Sequence, residues 1–232
     1  GCLLISYSSS DNPNCDIAAL DTCFSVLLRE NLSEEERKEF QVRCRCALDG
    51  LEVLLQSLLQ ISKMEAGLIQ INREKLPLME TIISAVNRVY PNAGAKEIEF
   101  VFDYDEALEN DCILQDKKWL GEAFINVFDN AIKYSPAGSE VYVRIQKRTD
   151  FIRIEIEDNG VGIPKVEYHK IFQRFFRGSL PEVKEENGSG IGLFLSRKII
   201  EQHGGTITVS SNLELKKELD GKTGSVFIIQ LP

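Results

Sequence analysis

Histidine is almost missing from this chain: its 232 residues include two, His169 and His203. Neither lies in the N-terminal helical region, so no imidazole is available there as base or nucleophile. The chain also lacks any run of about eighteen apolar residues, the length a membrane span would need. Its short apolar start, Cys2 to Tyr7, passes directly into Ser8-Ser9-Ser10, which is not a signal peptide. The chain is therefore expected to be soluble as it stands, in the cytoplasm, with a membrane reached only through segments upstream. No initiator Met opens it, which suggests a piece of a longer protein. A basic surplus is lacking too. The formal charge is −9 and the isoelectric point near 4.9, and without a long basic stripe this argues against a nucleic-acid surface. Six cysteines are present (Cys2, Cys15, Cys23, Cys44, Cys46, Cys112), but no CxxC pair is among them, and Cys44 and Cys46 stand too close for ordinary zinc spacing. Buried thiols in a reducing compartment are expected, because a chain of this size does not depend on disulfide staples. With 43% hydrophobic and 27% charged residues, the chain can hold one good core plus a helical appendage, or two small domains.

The densest signal is the run from Trp119 to Ser135, which has no helix breaker. Leu120, Phe124, Val127, Phe128, Ala131 and Ile132 recur at helical spacing and form a buried stripe. Asn126, Asn130 and Lys133 share another face. Asn is a mediocre helix former, and two of them one turn apart beside a Lys suit a site that needs neutral oxygen ligands and a cation, as magnesium phosphate does. A solvated face with incidental amides is the alternative at this point.

Upstream, Ile17, Leu20, Phe24, Leu27 and Leu28 keep helical spacing from Cys15 to Glu30. Ser33 then reads as an N-cap, with Glu36 three residues later completing a capping box. The second helix runs to about Glu65, its apolar positions (Phe40, Cys44, Ala47, Leu51, Leu54, Leu55, Leu58, Leu59, Ile61) denser than one surface helix needs. Such a pair reads as an antiparallel hairpin that meets a second copy in a four-helix bundle dimer; packing on its own C-terminal domain is the alternative. Gly67 ends the helix, Leu68 to Asn72 reads as a short strand, and the domain boundary falls there: residues 1–66 form the helical hairpin and 67–232 a second domain. Pro77 opens another helix, which Pro91-Asn92-Ala93-Gly94 terminates. Strands are expected at Ile98–Phe102, Cys112–Leu114, Val141–Gln146, Phe151–Glu157, Thr206–Ser210 and Ser225–Leu231, and a helix at Ile191–Gln202 ending at Gly204-Gly205. Interleaved strands and helices with mostly antiparallel hairpins predict a two-layer α+β sandwich with one helical face.

Two glycine clusters flank the Asn helix. Asp158-Asn159-Gly160-Val161-Gly162-Ile163-Pro164 follows a strand directly, so a carboxylate is held on rigid backbone where glycines let a ligand approach, and a buried Asp there can read an amino group. Gly188-Ser189-Gly190-Ile191-Gly192-Leu193 opens a helix, where backbone amides and the positive dipole end can cradle phosphate. Between them Phe172, Phe175 and Phe176 alternate with Arg174 and Arg177, followed by the polar run Leu180 to Asn187, which reads as a lid anchored by aromatics.

The order of Asn box, Asp158-x-Gly160-x-Gly162, Phe172-x-x-Phe175-Phe176 and Gly188-x-Gly190-x-Gly192 resembles the catalytic ATP-binding domain of bacterial sensor histidine kinases, over about Arg73 to Pro232. Ser33 to Gly67, ending in Leu59 to Gly67, likewise resembles the second helix of that family's dimerisation domain. The resemblance implies the left-handed ATP-binding sandwich shared with gyrase-type ATPases. It also implies ATP and magnesium as ligands, a homodimer through the hairpin, and the receiver domain of a response regulator as partner in two-component signalling. It makes Asn130 the magnesium ligand with Asn126 beside it, Lys133 a phosphate contact, and Tyr134 part of the adenine pocket. Asp158 would read the adenine amino group. Gly160, Gly162, Gly188, Gly190 and Gly192 would let backbone approach the nucleotide, with Ile163, Phe175, Ile191 and Leu193 around it.

Gyrase-type relatives carry a Glu general base where Asn126 stands here, and an amide cannot take a proton at neutral pH, which favours phosphoryl transfer over hydrolysis. Glu122, a turn earlier, is expected to be a solvated helix residue rather than that base. The family's acceptor helix carries a His followed by an acid, with Pro five positions after the His; aligning on Pro13 puts Ser8 at the His and Ser9 at the acid. His169 is expected on the surface or in packing, and His203 as a cation at a helix end. Three readings follow: a histidine kinase core with its acceptor missing or supplied elsewhere, a pseudokinase that binds ATP without transferring phosphate, and, disfavoured by Asn126, a gyrase-type ATPase.

Overall fold

A computed structural model describes residues 33–66, 70–105, 108, 111–186, 188–211 and 223–232. The expected helix at Cys15–Glu30, the acceptor position Ser8 and the Gly67 cap lie outside those residues. The chain divides into two compact units, Gly1–Ile69 and Gln70–Pro232.

In the first unit, helix α1 spans Glu34–Glu65. It starts where the capping box requires: the Glu36 backbone N–H donates to Ser33 Oγ at 3.2 Å, and Ser33 N–H donates to the Glu36 carboxylate at 3.0 Å. Leu48, Leu55, Leu58 and Leu59 are exposed on it.

The second unit is a sheet covered on one face by helices. Strand β1 (Glu74–Pro77) leads into α2 (Leu78–Ala95), followed by β2 (Glu99–Tyr104), β3 (Cys112–Gln115), α3 (Lys117–Tyr134), β4 (Glu140–Lys147) and β5 (Ile152–Glu157). A 3-10 turn at Lys165–Glu167, a short α4 (Pro181–Glu185), α5 (Gly192–Gln202), β6 (Thr206–Ser211) and β7 (Ser225–Leu231) complete it. Five strands pair in the order β2-β4-β5-β7-β6, with β2 parallel to β4 and the rest antiparallel; β1 and β3 form a separate antiparallel pair. This is the expected α+β sandwich. Burial alternates strictly along β4, β5 and β7, so Val141, Val143, Ile145, Ile152, Ile154, Ile156, Phe227, Ile229 and Leu231 all face the helices. Helix α3 is central, packed against both α2 and α5. Its stripe Leu120, Phe124, Val127, Phe128, Ala131 and Ile132 is buried, and Phe128 meets Phe100 of β2 edge to face at 5.6 Å between centroids.

Three expectations are corrected here. The strand near residue 70 forms at Glu74–Pro77 instead, because that segment has Cys112–Gln115 to pair with, while Gln70–Asn72 is irregular. Pro91 does not end α2 but sits inside it, in the last full turn, where one lost backbone bond is tolerated because few residues follow. Cys44 is buried as expected, but Cys112 is exposed, since its β3 position points away from the core.

Candidate functional site

The helix-lined end of β5 is where the sequence-predicted residues gather. Asp158 follows β5 and is 6% exposed. Its Oδ1 accepts the backbone N–H of Gly160 at 2.8 Å and of Ser225 at 3.1 Å, and its own N–H donates to Ser225 O at 2.9 Å. These bonds fix the carboxyl group and leave Oδ2 with no hydrogen bond among the described residues. Burial pushes the carboxyl up to about 6, outweighing the two backbone N–H groups, which act to lower it. A carboxylate held against that cost, with one oxygen uncommitted, is suited to accept from a neutral donor such as an exocyclic amine.

Tight packing explains the glycines around it. A Cβ on Gly160 would lie 2.8 Å from both Asp158 Oδ1 and the Tyr134 carbonyl oxygen, so the loop after β5 closes onto the end of α3 only with glycine there. Gly162 has φ +76°. Ile163 is half-buried, its N–H held by Ser211 Oγ at 3.0 Å.

Helices α3 and α5 bring the other half of the site together. A Cβ on Gly192, the first residue of α5, would lie 3.2 Å from Asn126 Oδ1, and one on Gly188 would lie 3.0 Å from Lys133 Nζ. The amide of Asn126 and the ammonium of Lys133 thus border the glycine-rich entry to α5, where the helix dipole also favours an anion. Buried Ser196 ties the two helices, donating to Ala123 O and Gly192 O, both at 3.1 Å. Burial pushes the Lys133 ammonium below its ordinary value, opposed by Glu186 and Asp129 and reinforced by the cations Arg177 and Lys96. Its Nζ lies 5.2 Å from the Tyr134 ring centroid. Asn130, one turn before Tyr134, is half-buried, and its carboxamide makes no hydrogen bond to any described residue. Among the described residues no trio of His, Cys, Asp or Glu could hold a metal, so a cation here would depend on amide and ligand oxygens.

Phe172 is buried, Phe176 half-buried, and Phe175 50% exposed at φ +60°, its N–H donating to Gly190 O at 3.0 Å. Phe172 therefore anchors this segment, whereas Phe175 is presented outward on strained backbone. Gly190 has φ +64°, and a Cβ there would meet the Phe176 carbonyl oxygen at 2.7 Å. Ile191 is fully packed away at 1% exposure and Leu193 is half-buried. In the polar run, Pro181–Glu185 forms α4, whose end is held by Arg177, which donates to Val183 O at 2.6 Å and to Glu186 O.

His203 is not the expected cation. It is 1% exposed, its Nε2 accepts the Asp116 backbone N–H at 3.0 Å, and its Nδ1 lies 2.8 Å from Ile199 O. One ring nitrogen must accept and the other donate, which only the neutral ring does, and burial correspondingly pushes its pKa down. His169 is exposed, as expected. Glu122 is paired with Arg88 of α2 at 2.5 Å, in keeping with a surface ion pair rather than a base.

Sequence reasoning missed the far wall. A Cβ on Gly224 would lie 2.0 Å from the Asp158 carbonyl oxygen, Ser225 holds the Asp158 backbone and carboxyl, and Thr223 Oγ1 donates to Gly160 O at 2.7 Å. These residues meet Asp158 only through the β5–β7 register, and a lone Gly before the last strand was their sole sign.

A buried carboxylate and a glycine-rich helix start on an α+β sandwich suit a nucleotide. The family described as "Histidine kinase-, DNA gyrase B-, and HSP90-like ATPase" matches residues 115–232, and the chain belongs to it. Among curated relatives, the sensor-like histidine kinase SenX3 of Mycobacterium tuberculosis is 35% identical over 222 residues, covering 93% of this chain and 50% of its own. Among solved structures, the mycobacterial sensor histidine kinase MprB superposes with a TM-score of 0.58 at 33% identity, over 69% of this chain and 97% of that one. The histidine kinase ThkA, solved with the response regulator protein TrrA, gives 0.73 at 22% identity over 95% and 58%. The chain spans about half or less of the length of these curated relatives.

Proposed function

We propose that this chain is the catalytic core of a sensor histidine kinase, which binds Mg-ATP and transfers its γ-phosphoryl group to a protein histidine in two-component signalling. The observation that carries the reading is the convergence of Asp158 with its uncommitted Oδ2, the Lys133 ammonium at Gly188, and Asn126 at the start of α5. Asp158 accepts from the adenine amino group, with Tyr134 and Ile163 lining the base site. Lys133 and the Gly188–Gly192 amides take the phosphates, and the idle Asn130 carboxamide gives a magnesium ion a neutral oxygen. Magnesium, when bound, neutralises phosphate charge as the phosphoryl group leaves. Neither Asn126, which cannot accept a proton, nor Glu122, which is engaged with Arg88, supplies the general base a hydrolase needs.

A second reading, a pseudokinase that reports nucleotide occupancy without transfer, is favoured by the histidine inventory. Of the chain's two histidines, His203 is buried with both ring nitrogens engaged, and His169 is in the turn that follows the 3-10 helix, not in the helical unit. The acceptor position reads Ser8, followed in sequence by Ser9 rather than an acid, and a hydroxyl needs a base to activate it. The core is read as cytoplasmic, a two-fold homodimer through residues 1–66, and a partner of a response-regulator receiver domain, the class of partner with which ThkA was solved.

Incubation with γ-labelled ATP and magnesium separates the readings. A kinase core labels a His-bearing relative in trans, and the chain itself once Ser8→His and Ser9→Glu are introduced; a pseudokinase binds nucleotide and labels neither. Failure of the wild-type chain to bind Mg-ATP in calorimetry overturns both.

A further inference from the structure

The last turn of α3 carries Lys133 and Tyr134, and a helix end leaves its final carbonyl groups without intrahelical donors. One side chain from another element satisfies two of them: Lys96 Nζ donates to Lys133 O at 2.7 Å and to Ile132 O at 3.2 Å. Lys96 is itself the C-cap of α2, its N–H donating to Ala93 O at 3.0 Å. Its carbonyl accepts the Gly138 N–H at 2.9 Å, and Glu99 N–H reaches Ser139 O at 3.1 Å, so the loop leaving α3 is tied down at the same place. The adjoining Glu97 is held at φ +56°, a conformation a non-glycine residue keeps only when its surroundings impose it. The Tyr134 carbonyl packs on Gly160, so any movement of this turn is felt at the Asp158 loop as well.

We propose that Lys96 is a positioning residue for the nucleotide site: by binding the Ile132 and Lys133 carbonyl groups, its ammonium sets the last turn of α3, and with it Lys133 and Tyr134. Lys96 touches no nucleotide in this scheme. Its cationic charge also suits the negative end of the α3 dipole, which a neutral donor would meet less well. The proposal rests on the nucleotide-binding reading above, and the test keeps the two apart.

Calorimetry on the full chain with Mg-ATP and with adenosine gives the readout, beside thermal unfolding of each variant. Wild type that binds neither ligand refutes the nucleotide reading itself. If wild type binds, Lys96→Met, folded at the assay temperature, should lose about tenfold or more in affinity for both ligands, because Lys133 and Tyr134 are both released. Lys96→Arg, which keeps the charge and can donate to both carbonyls, should recover to within about threefold. A cap that served stability alone would lower the unfolding temperature and leave affinity intact, so wild-type affinity in folded Lys96→Met overturns the proposal. So does an Arg variant as weak as the Met variant. Should Lys96→Met not fold, Lys96→Gln, which keeps an amide donor, should show an intermediate loss, and wild-type affinity there overturns the proposal equally.

Discussion

Replacing Asp158 by Asn should separate binding from stability in opposite directions. Asn keeps an Oδ1 that accepts from Gly160 and Ser225, so the loop can stay in place. What changes is the other atom, where the acceptor proposed for the adenine amino group becomes a donor. Loss of a hydrogen bond to a charged group costs about 1.5–3 kcal/mol, a fall of about ten- to a hundredfold in adenosine affinity, before any donor–donor repulsion. Stability should move the other way. The carboxyl rises from its ordinary 3.8 to about 6 on folding, so between those values the native state holds a proton the unfolded chain has released. Folding stability is therefore greatest below the unfolded value and falls as pH rises to about 6. At about 1.4 kcal/mol per pKa unit, the cost at neutral pH approaches about 3 kcal/mol, and the neutral Asn avoids it. The variant should unfold at higher denaturant concentration than wild type at pH 7.5 while binding adenosine weakly. In wild type, adenosine affinity should fall as pH drops through about 6, and in the variant that dependence should vanish. Wild-type adenosine affinity in Asp158→Asn, or a wild-type profile flat from about pH 5 to 8, would refute the reasoning.

Gly188→Val should lower Mg-ATP affinity about tenfold while sparing adenosine, because its side chain would occupy the space beside Lys133 Nζ and the position is exposed; equal loss of both ligands in calorimetry would contradict a phosphate role. His203→Leu should cost about 1–3 kcal/mol in denaturant unfolding at pH 7.5, through the Asp116 N–H left unpaired. Because burial holds the folded pKa of His203 below the ordinary 6.5, wild-type stability from this group is full above 6.5 and lost as pH falls from there through the folded value. The gap between wild type and variant should therefore narrow towards acid, and a gap constant with pH would argue against a neutral His203. Light scattering should find a dimer, because the exposed Leu48, Leu55, Leu58 and Leu59 of α1 want a partner; a monomer mass at every concentration would sink the bundle.

The helices and strands were legible wherever periodicity and punctuation agreed. Helix α3 carries a clean apolar stripe, and β5, β7 and α5 lie within a residue or so of where alternation and glycines put them. The misses have physical reasons. Pro91 is normally a stop, but so near a helix end it forfeits little, and the motif could not say on which side of the end it fell. His203 beside a helix C-terminus reads as a cation by dipole logic alone, yet Asp116, 87 positions away, supplies the N–H that makes the neutral ring the better-bonded state. Thr223, Gly224 and Ser225 were invisible for the same reason, since their roles come from strand register and not from local pattern. The glycine-rich motifs were informative because a glycine reports how closely something else must approach, even when the partner is far off in sequence.

The distribution of satisfied and unsatisfied polar groups points to the same end of the sheet. Away from the site, three buried polar side chains are fully engaged: Gln115 accepts from Thr81 at 2.8 Å and donates to Leu76 O and Pro77 O, Ser196 bridges α3 and α5, and His203 uses both nitrogens. These nodes lock β1, β3 and the helices without calling for anything external. At the site the accounting is open. Asp158 keeps Oδ2 without a described partner behind a desolvated carboxyl, burial holds the Lys133 ammonium below its ordinary pKa, Asn130 offers an amide with no described partner, and Phe175 stands outward at positive φ. A desolvated carboxyl, a desolvated ammonium and an amide without a described partner are each costs of the kind that a purine amine, a phosphate or a hydrated cation relieves. A core that merely tolerated these groups would scatter them. Their concentration between β5, α3 and α5 fits the proposed nucleotide site, and nucleotide should then raise the unfolding temperature of this unit.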